Sequence, residues 1–170
     1  MRAPQHGRKG AGKRGAAAQA AGVAADNRFV SSESLPWFPF LSEQVHVKLC
    51  KVNRTSGEMA LLVRVAPGGT LGPHYYHGVA ATYTVRGRWR HRGRSSTAGP
   101  GDIMMASAGS THVLETVGDD PVEAFVHLTG ALEFRDEDGR TLCIENAETL
   151  HGRYLAHCAL HGLEVQDITQ

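Results

Sequence analysis

Beyond residue 35, apolar and polar residues alternate in short runs, the period-two pattern of half-buried strands. Val45, Val47 and Leu49 alternate with polar or basic neighbours. Met59, Leu61, Val63 and Val65 do the same until Pro67-Gly68-Gly69 ends the run. Tyr83, Val85 and Trp89 share one parity, which predicts that they and Ala81 face the interior. Further strands are predicted over 102–106, 112–117, 122–128, 131–135 and 141–144, with Asp138-Gly139 a hairpin signal between the last two. One segment alone reads as a helix, over about 146–161. Asn146 is its N-cap, and Glu148 sits in the first turn. Ala147, Leu150, Tyr154 and Cys158 fall on one face, and Gly162 closes it. Many short strands with one closing helix predict an all-β sandwich or barrel, with the helix against its outside. No internal repeat is present, so residues 29–170 read as one domain.

The first 28 residues break the pattern. Arg2, Arg8, Lys9, Lys13, Arg14 and Arg28 stand against Asp26 alone, leaving the segment at +5 and the remainder at −4. With Val23 its one branched aliphatic and no aromatic residue, the segment cannot bury enough apolar surface to offset its ordering entropy. It is predicted to be a disordered basic tail. It has neither the apolar core of a secretory signal nor the serines of a transit peptide. No apolar run is long enough to span a bilayer. The three cysteines, Cys50, Cys143 and Cys158, are scattered without CxxC spacing, which fits a reducing cytoplasm and argues against a cysteine zinc site.

Candidate chemistry concentrates in residues 68–87, GGTLGPHYYHGVAATYTVRG, and 101–112, GDIMMASAGSTH. Together they resemble the two metal-binding halves of a cupin barrel, a double-sheet jelly roll. His74 and His112 stand at ligand positions of that pattern. Tyr76 replaces the second histidine of its His-x-His, and Ala81 replaces its Glu, Gln or His. Residues two apart on a strand point to the same side, so His74 and Tyr76 share a face while His77 points away unless Gly78 introduces a bulge. Three arrangements follow. Tyr76 ligates as a phenolate, which needs its pKa of about 10 lowered and favours Fe(III). Alternatively His77 turns inward and completes a three-histidine Fe(II) site with open positions. Or His74, Tyr76 and His112 are buried polar side chains satisfied by hydrogen bonds and water.

The chain also resembles the 2,4'-dihydroxyacetophenone dioxygenase family of small cupins, which overlaps ChrR-like cupins. The resemblance rests on LPWFPF at 35–40, VHVKLCKVNRTSGEMALLVRVAPGGTLGPHYYHG at 45–78, YTVRGRW at 83–89, AGPGD at 98–102, GALEFRDEDGR at 130–140 and ENAETLHGRYLAHC at 145–158. It implies a homodimeric, mononuclear non-haem iron dioxygenase with Fe(II) at His74 and His112. Such an enzyme uses O2 to cleave the C–C bond of an aryl hydroxymethyl ketone. The altered positions leave a second reading, a cupin without metal that binds a small molecule or acts as a sensor.

Other features bear on partners. Arg86, Arg88, Arg90, Arg92 and Arg94 are predicted to share one strand face, with Trp89 and His91 opposite. With little aromatic interleaving, they read as a solvated outer strand and not as a nucleic-acid surface. Tyr83, Trp89, Met104 and Met105 are predicted to line the pocket. His157 and His161, at i and i+4 on the helix, lack an acidic third ligand and read as solvated.

Overall fold

The computed structural model describes residues 29–169; the predicted tail at 1–28 lies outside the described residues. Two antiparallel sheets face each other. The first runs in the order β1 (Phe38–Phe40), β2 (Ser42–Asn53), β3 (Glu58–Val65), β9 (Val122–Thr129), β5 (Ala80–Arg86) and β7 (Ile103–Ala106). The second runs β11 (Thr141–Glu145), β10 (Leu132–Arg135), β4 (Thr70–Tyr76), β8 (Thr111–Thr116) and β6 (Trp89–His91). Successive strands alternate between the sheets through the middle of the chain, which makes the double-sheet jelly roll.

Register follows from burial. In the β2–β3 ladder Val45 faces Val65 and Leu49 faces Leu61, and in β3–β9 Met59 faces Leu128. A slip by one residue would turn these buried side chains to solvent. The hairpin signal also has a structural counterpart: Gly139 takes φ +83° in the turn joining β10 to β11.

Between β4 and β5 the chain turns through Gly78, where a Cβ would stand 2.0 Å from the Thr129 carbonyl oxygen. Only glycine fits there. Beyond it, the side chains of Ala80, Thr82 and Thr84 are buried, while Tyr83 and Val85 are each 45% exposed. This corrects the predicted parity. Ala81, Tyr83 and Val85 face outward, because β5 keeps the even-numbered inward face begun by His74 and Tyr76. Trp89 is buried despite its odd number, since Gly87 (φ +73°) turns the chain and restarts the alternation in β6.

The same turn divides the arginine series. Arg86 ends β5, Arg90 lies within β6 and Arg92 beyond it, so the five do not share one strand face. Arg86 pairs with Glu123, Arg90 and Arg92 with Glu115, and Arg92 also with Glu137.

Helix α1 (Ala147–His161) packs against β2 and β11. The Asn146 side chain accepts from the backbone N–H groups of Glu148 and Thr149, and the Thr149 hydroxyl accepts from that of Asn146. Leu150, Tyr154 and Cys158 are buried on the barrel, and Gly162 closes the helix in a left-handed conformation. Glu145, 1% exposed, anchors the junction through Arg153 and Thr149. No helix among the described residues is long and apolar enough to cross a membrane.

Candidate functional site: the polar end of the barrel

His74 and His112 are Cα partners across the β4–β8 ladder, so the two predicted ligand positions come together. His74 is fully buried, and its Nδ1 lies 2.8 Å from the Gly72 carbonyl oxygen, which can only accept. The ring proton therefore sits on Nδ1. Its Nε2 carries a lone pair and has no hydrogen-bond partner, the one buried side-chain N or O atom among the described residues in that state. Burial pushes the His74 pKa down to about 4, against which its bond to Gly72 acts only partially.

Tyr76 stands beside it, ring centroids 5.2 Å apart, and meets the His112 ring edge-on at 5.3 Å. Burial pushes its hydroxyl up to about 12, so the phenol is neutral at ordinary pH. No neighbouring side chain lowers it, so a phenolate ligand at this position would need a bound cation to draw off the proton.

The other sequence-predicted residues scatter. His77 points outward, its Nε2 3.1 Å from Glu133 Oε2, and so does not complete a ligand set. The inward position of β5 nearest the histidines is Ala80, 2% exposed; Ala81 faces the other way. Neither can donate electrons to a cation. Tyr83 lies on the outer face and does not line the pocket, and Met105 is 71% exposed. Trp89 is buried, its indole N–H donating to Thr84 Oγ1 at 2.8 Å. Met104 joins Trp89 in an outer groove.

A further histidine, outside the predicted ligand set, joins the site. His91 Nδ1 lies 3.1 Å from His112 Nδ1, with ring centroids 4.5 Å apart. On its other side, His112 Nε2 lies 2.9 Å from Ser110 Oγ. The signal was available, since His91 shares parity with Trp89 on β6.

Tyr76 also walls a cavity of about 70 Å³ within the barrel. Its lining is mostly aliphatic and aromatic, including Phe40, Leu61, Leu71, Val126, Leu132 and Phe134, and contains no Lys, Arg or His. Among its polar members, Thr116 donates to the Gly69 carbonyl and Glu115 is paired with Arg90 and Arg92. The Tyr76 hydroxyl makes no hydrogen bond among the described residues. Trp89 lines both this cavity and an open outer groove of about 270 Å³, which also includes His91, Asp102 and Met104.

A mononuclear iron centre needs at least three good donors. Among the described residues no group of three or more His, Cys, Asp or Glu side chains is arranged to hold a metal ion. The orphaned His74 Nε2 is one fitting donor. A neutral phenol at Tyr76 and the methyl group of Ala80 do not supply the others, so this donor set does not fit the iron that the resemblance implies.

A family model for the ChrR cupin-like domain matches residues 25–133. No curated protein matches the chain. Among solved structures, an RmlC-like cupin protein from Ralstonia eutropha JMP134 is similar at 26% identity and TM-score 0.80, over 85% of this chain and 95% of that one. A second cupin-like protein from the same organism gives 21% identity and TM-score 0.77 over 84% and 91%. An acetylacetone dioxygenase from Acinetobacter johnsonii shares the fold at 17% identity and TM-score 0.66, over 88% and 99%.

Proposed function

Because the chain belongs to the ChrR cupin-like family, we propose that its barrel is a binding module for a compact, uncharged, largely apolar molecule. An oxygen of that molecule accepts a hydrogen bond from Tyr76. The carrying observation is Tyr76, which lines an apolar cavity and whose neutral hydroxyl has no hydrogen-bond partner among the described residues. In such surroundings an unmade hydrogen bond costs about 1–3 kcal/mol, so a ligand carbonyl or ether oxygen that makes it is selected over a hydrocarbon of the same shape. An ionised carboxylate is disfavoured, since no cationic side chain lines the cavity to repay its desolvation.

Size narrows the class further. A cavity near 150 Å³ is known to take benzene, about twice the volume found here. Small ketones therefore suit this barrel better than an aryl ketone.

The second reading is the iron dioxygenase that cleaves an aryl hydroxymethyl ketone with O2. One observation favours it, the partnerless His74 Nε2, because a buried lone pair of that kind is where a cation would sit. It requires a third donor and a wider cavity. Iron analysis of protein prepared without a histidine tag separates the two. The binding-module reading predicts iron far below one per chain, and one tightly held iron per chain favours the dioxygenase.

A further inference from the structure

His112 has two ring nitrogens, and each is engaged by a partner other than His74. The order of protons along this chain follows from its shortest contact. Ser110 Oγ lies 2.6 Å from the Ser107 carbonyl oxygen. Two oxygens approach that closely only with a proton between them, and a carbonyl has none to give. The single Ser110 hydroxyl proton is thereby committed to Ser107. Ser110 Oγ must then accept from His112 Nε2–H at 2.9 Å. A neutral His112 with its proton on Nε2 presents a lone pair at Nδ1, and the group 3.1 Å away is His91 Nδ1, which must donate.

The frame holding these groups is fixed by backbone bonds. Gly109 N–H donates to the Tyr76 carbonyl and Tyr76 N–H to the Ser110 carbonyl, which ties the 107–110 turn to β4. Burial lowers the pKa of both His91 and His112, in keeping with neutral rings.

We propose that His91 is a positioning residue of the barrel site, holding His112 in the Nε2–H tautomer and occupying the lone pair that a metal would need. The inference rests on the binding-module reading and extends it. In this barrel the second motif histidine is part of a relay, Ser107–Ser110–His112–His91, which fixes the ring against Tyr76. With both of its nitrogens committed, His112 stands as a fixed ring behind Tyr76, which itself lines the cavity. A metal could bind it only by breaking one of these two hydrogen bonds. Nothing in the relay requires a ligand to be present.

The test is long-range proton–nitrogen NMR of the uniformly nitrogen-15-labelled full chain near neutral pH, without ligand. The expected spectrum shows His112 as one tautomer, protonated at Nε2. His91→Phe keeps a ring at the position but removes its donor, and should let the two His112 nitrogens average toward a tautomer mixture. His91→Asn, whose carboxamide can donate, should restore the single tautomer, a rescue that a purely structural role would not give. Added Zn(II) should leave the wild-type His112 signals in place. A proton on His112 Nδ1 in the wild type, an unchanged His112 in His91→Phe, or loss of the His112 signals to stoichiometric Zn(II) would each overturn the proposal. Binding of acetone to wild type against Tyr76→Phe is read separately, so failure of the cavity reading and failure of the relay are distinguishable.

Discussion

Tyr76 lies two residues beyond His74 on β4, its ring 5.2 Å from the imidazole, and each holds a polar atom without a hydrogen-bond partner among the described residues. One is a donor and the other an acceptor. The hydroxyl cannot ionise near neutral pH, and the imidazole cannot take up a proton there, because burial opposes charge on both. A strand that in a metal-binding cupin would present two imidazoles here presents a neutral donor and a neutral acceptor.

Rebuilding the donor set should restore metal affinity. Tyr76→His combined with Ala80→Glu places a second imidazole and a carboxylate on the inward face beside His74 and His112. The double variant should bind about one Zn(II) per chain, as expected for a site with three or four N and O donors. Tyr76→His with Ala81→Glu should not, since Ala81 faces outward. Equal metal uptake by the two variants would show that the parity of β5 is misassigned.

Acid should weaken the fold through His74. Its folded pKa, about 4, lies below the unfolded imidazole value near 6.5, so between those limits the unfolded chain binds a proton that the folded chain refuses. Stability should then fall as pH drops from 6.5 to 4, by up to roughly 3 kcal/mol from this group, and rise as pH is raised again. The carboxylates with depressed pKa, Glu133 at about 2 among them, act in a lower window, below the unfolded carboxylate value. Urea melts of wild type and His74→Phe at pH 7 and pH 4.5 isolate the effect, and the variant should show the smaller change. Equal losses in both would assign the effect to other groups.

The helix junction rests on Glu145, which is buried and paired with Arg153. Arg153→Met leaves that carboxylate without its cation and should destabilise the protein by about 3 kcal/mol, because an uncompensated buried charge is costly. Glu145→Gln with Arg153→Met should recover part of the loss. Thermal melts of both variants check the order.

The jelly roll and the helix were legible because their signals are local. Period-two alternation in β2 and β3, the Asp138-Gly139 turn, and Asn146 and Gly162 at the helix ends each follow from a few neighbouring residues. The interior face of β5 departs from the predicted one for a physical reason. Its inward face carries Ala80, Thr82 and Thr84 and its outward face Tyr83 and Val85, so hydrophobicity pointed to the wrong side. Carrying the parity forward from His74 through Tyr76 would have given the right one. Part of the candidate site depends on contacts across strands. His91 joins His112 only because β6 pairs with β8, and His77 is drawn to Glu133 on β10, neighbours that sequence spacing does not reveal.

The most direct test is calorimetric titration of acetone, the smallest ketone, into the full chain in the presence of a metal chelator, with Tyr76→Phe as the comparison. The account predicts saturable one-to-one binding that persists in chelator and is weakened about tenfold or more in Tyr76→Phe, the loss expected for one buried hydrogen bond. Binding that appears only after Fe(II) is added, or that Tyr76→Phe leaves unchanged, would contradict it.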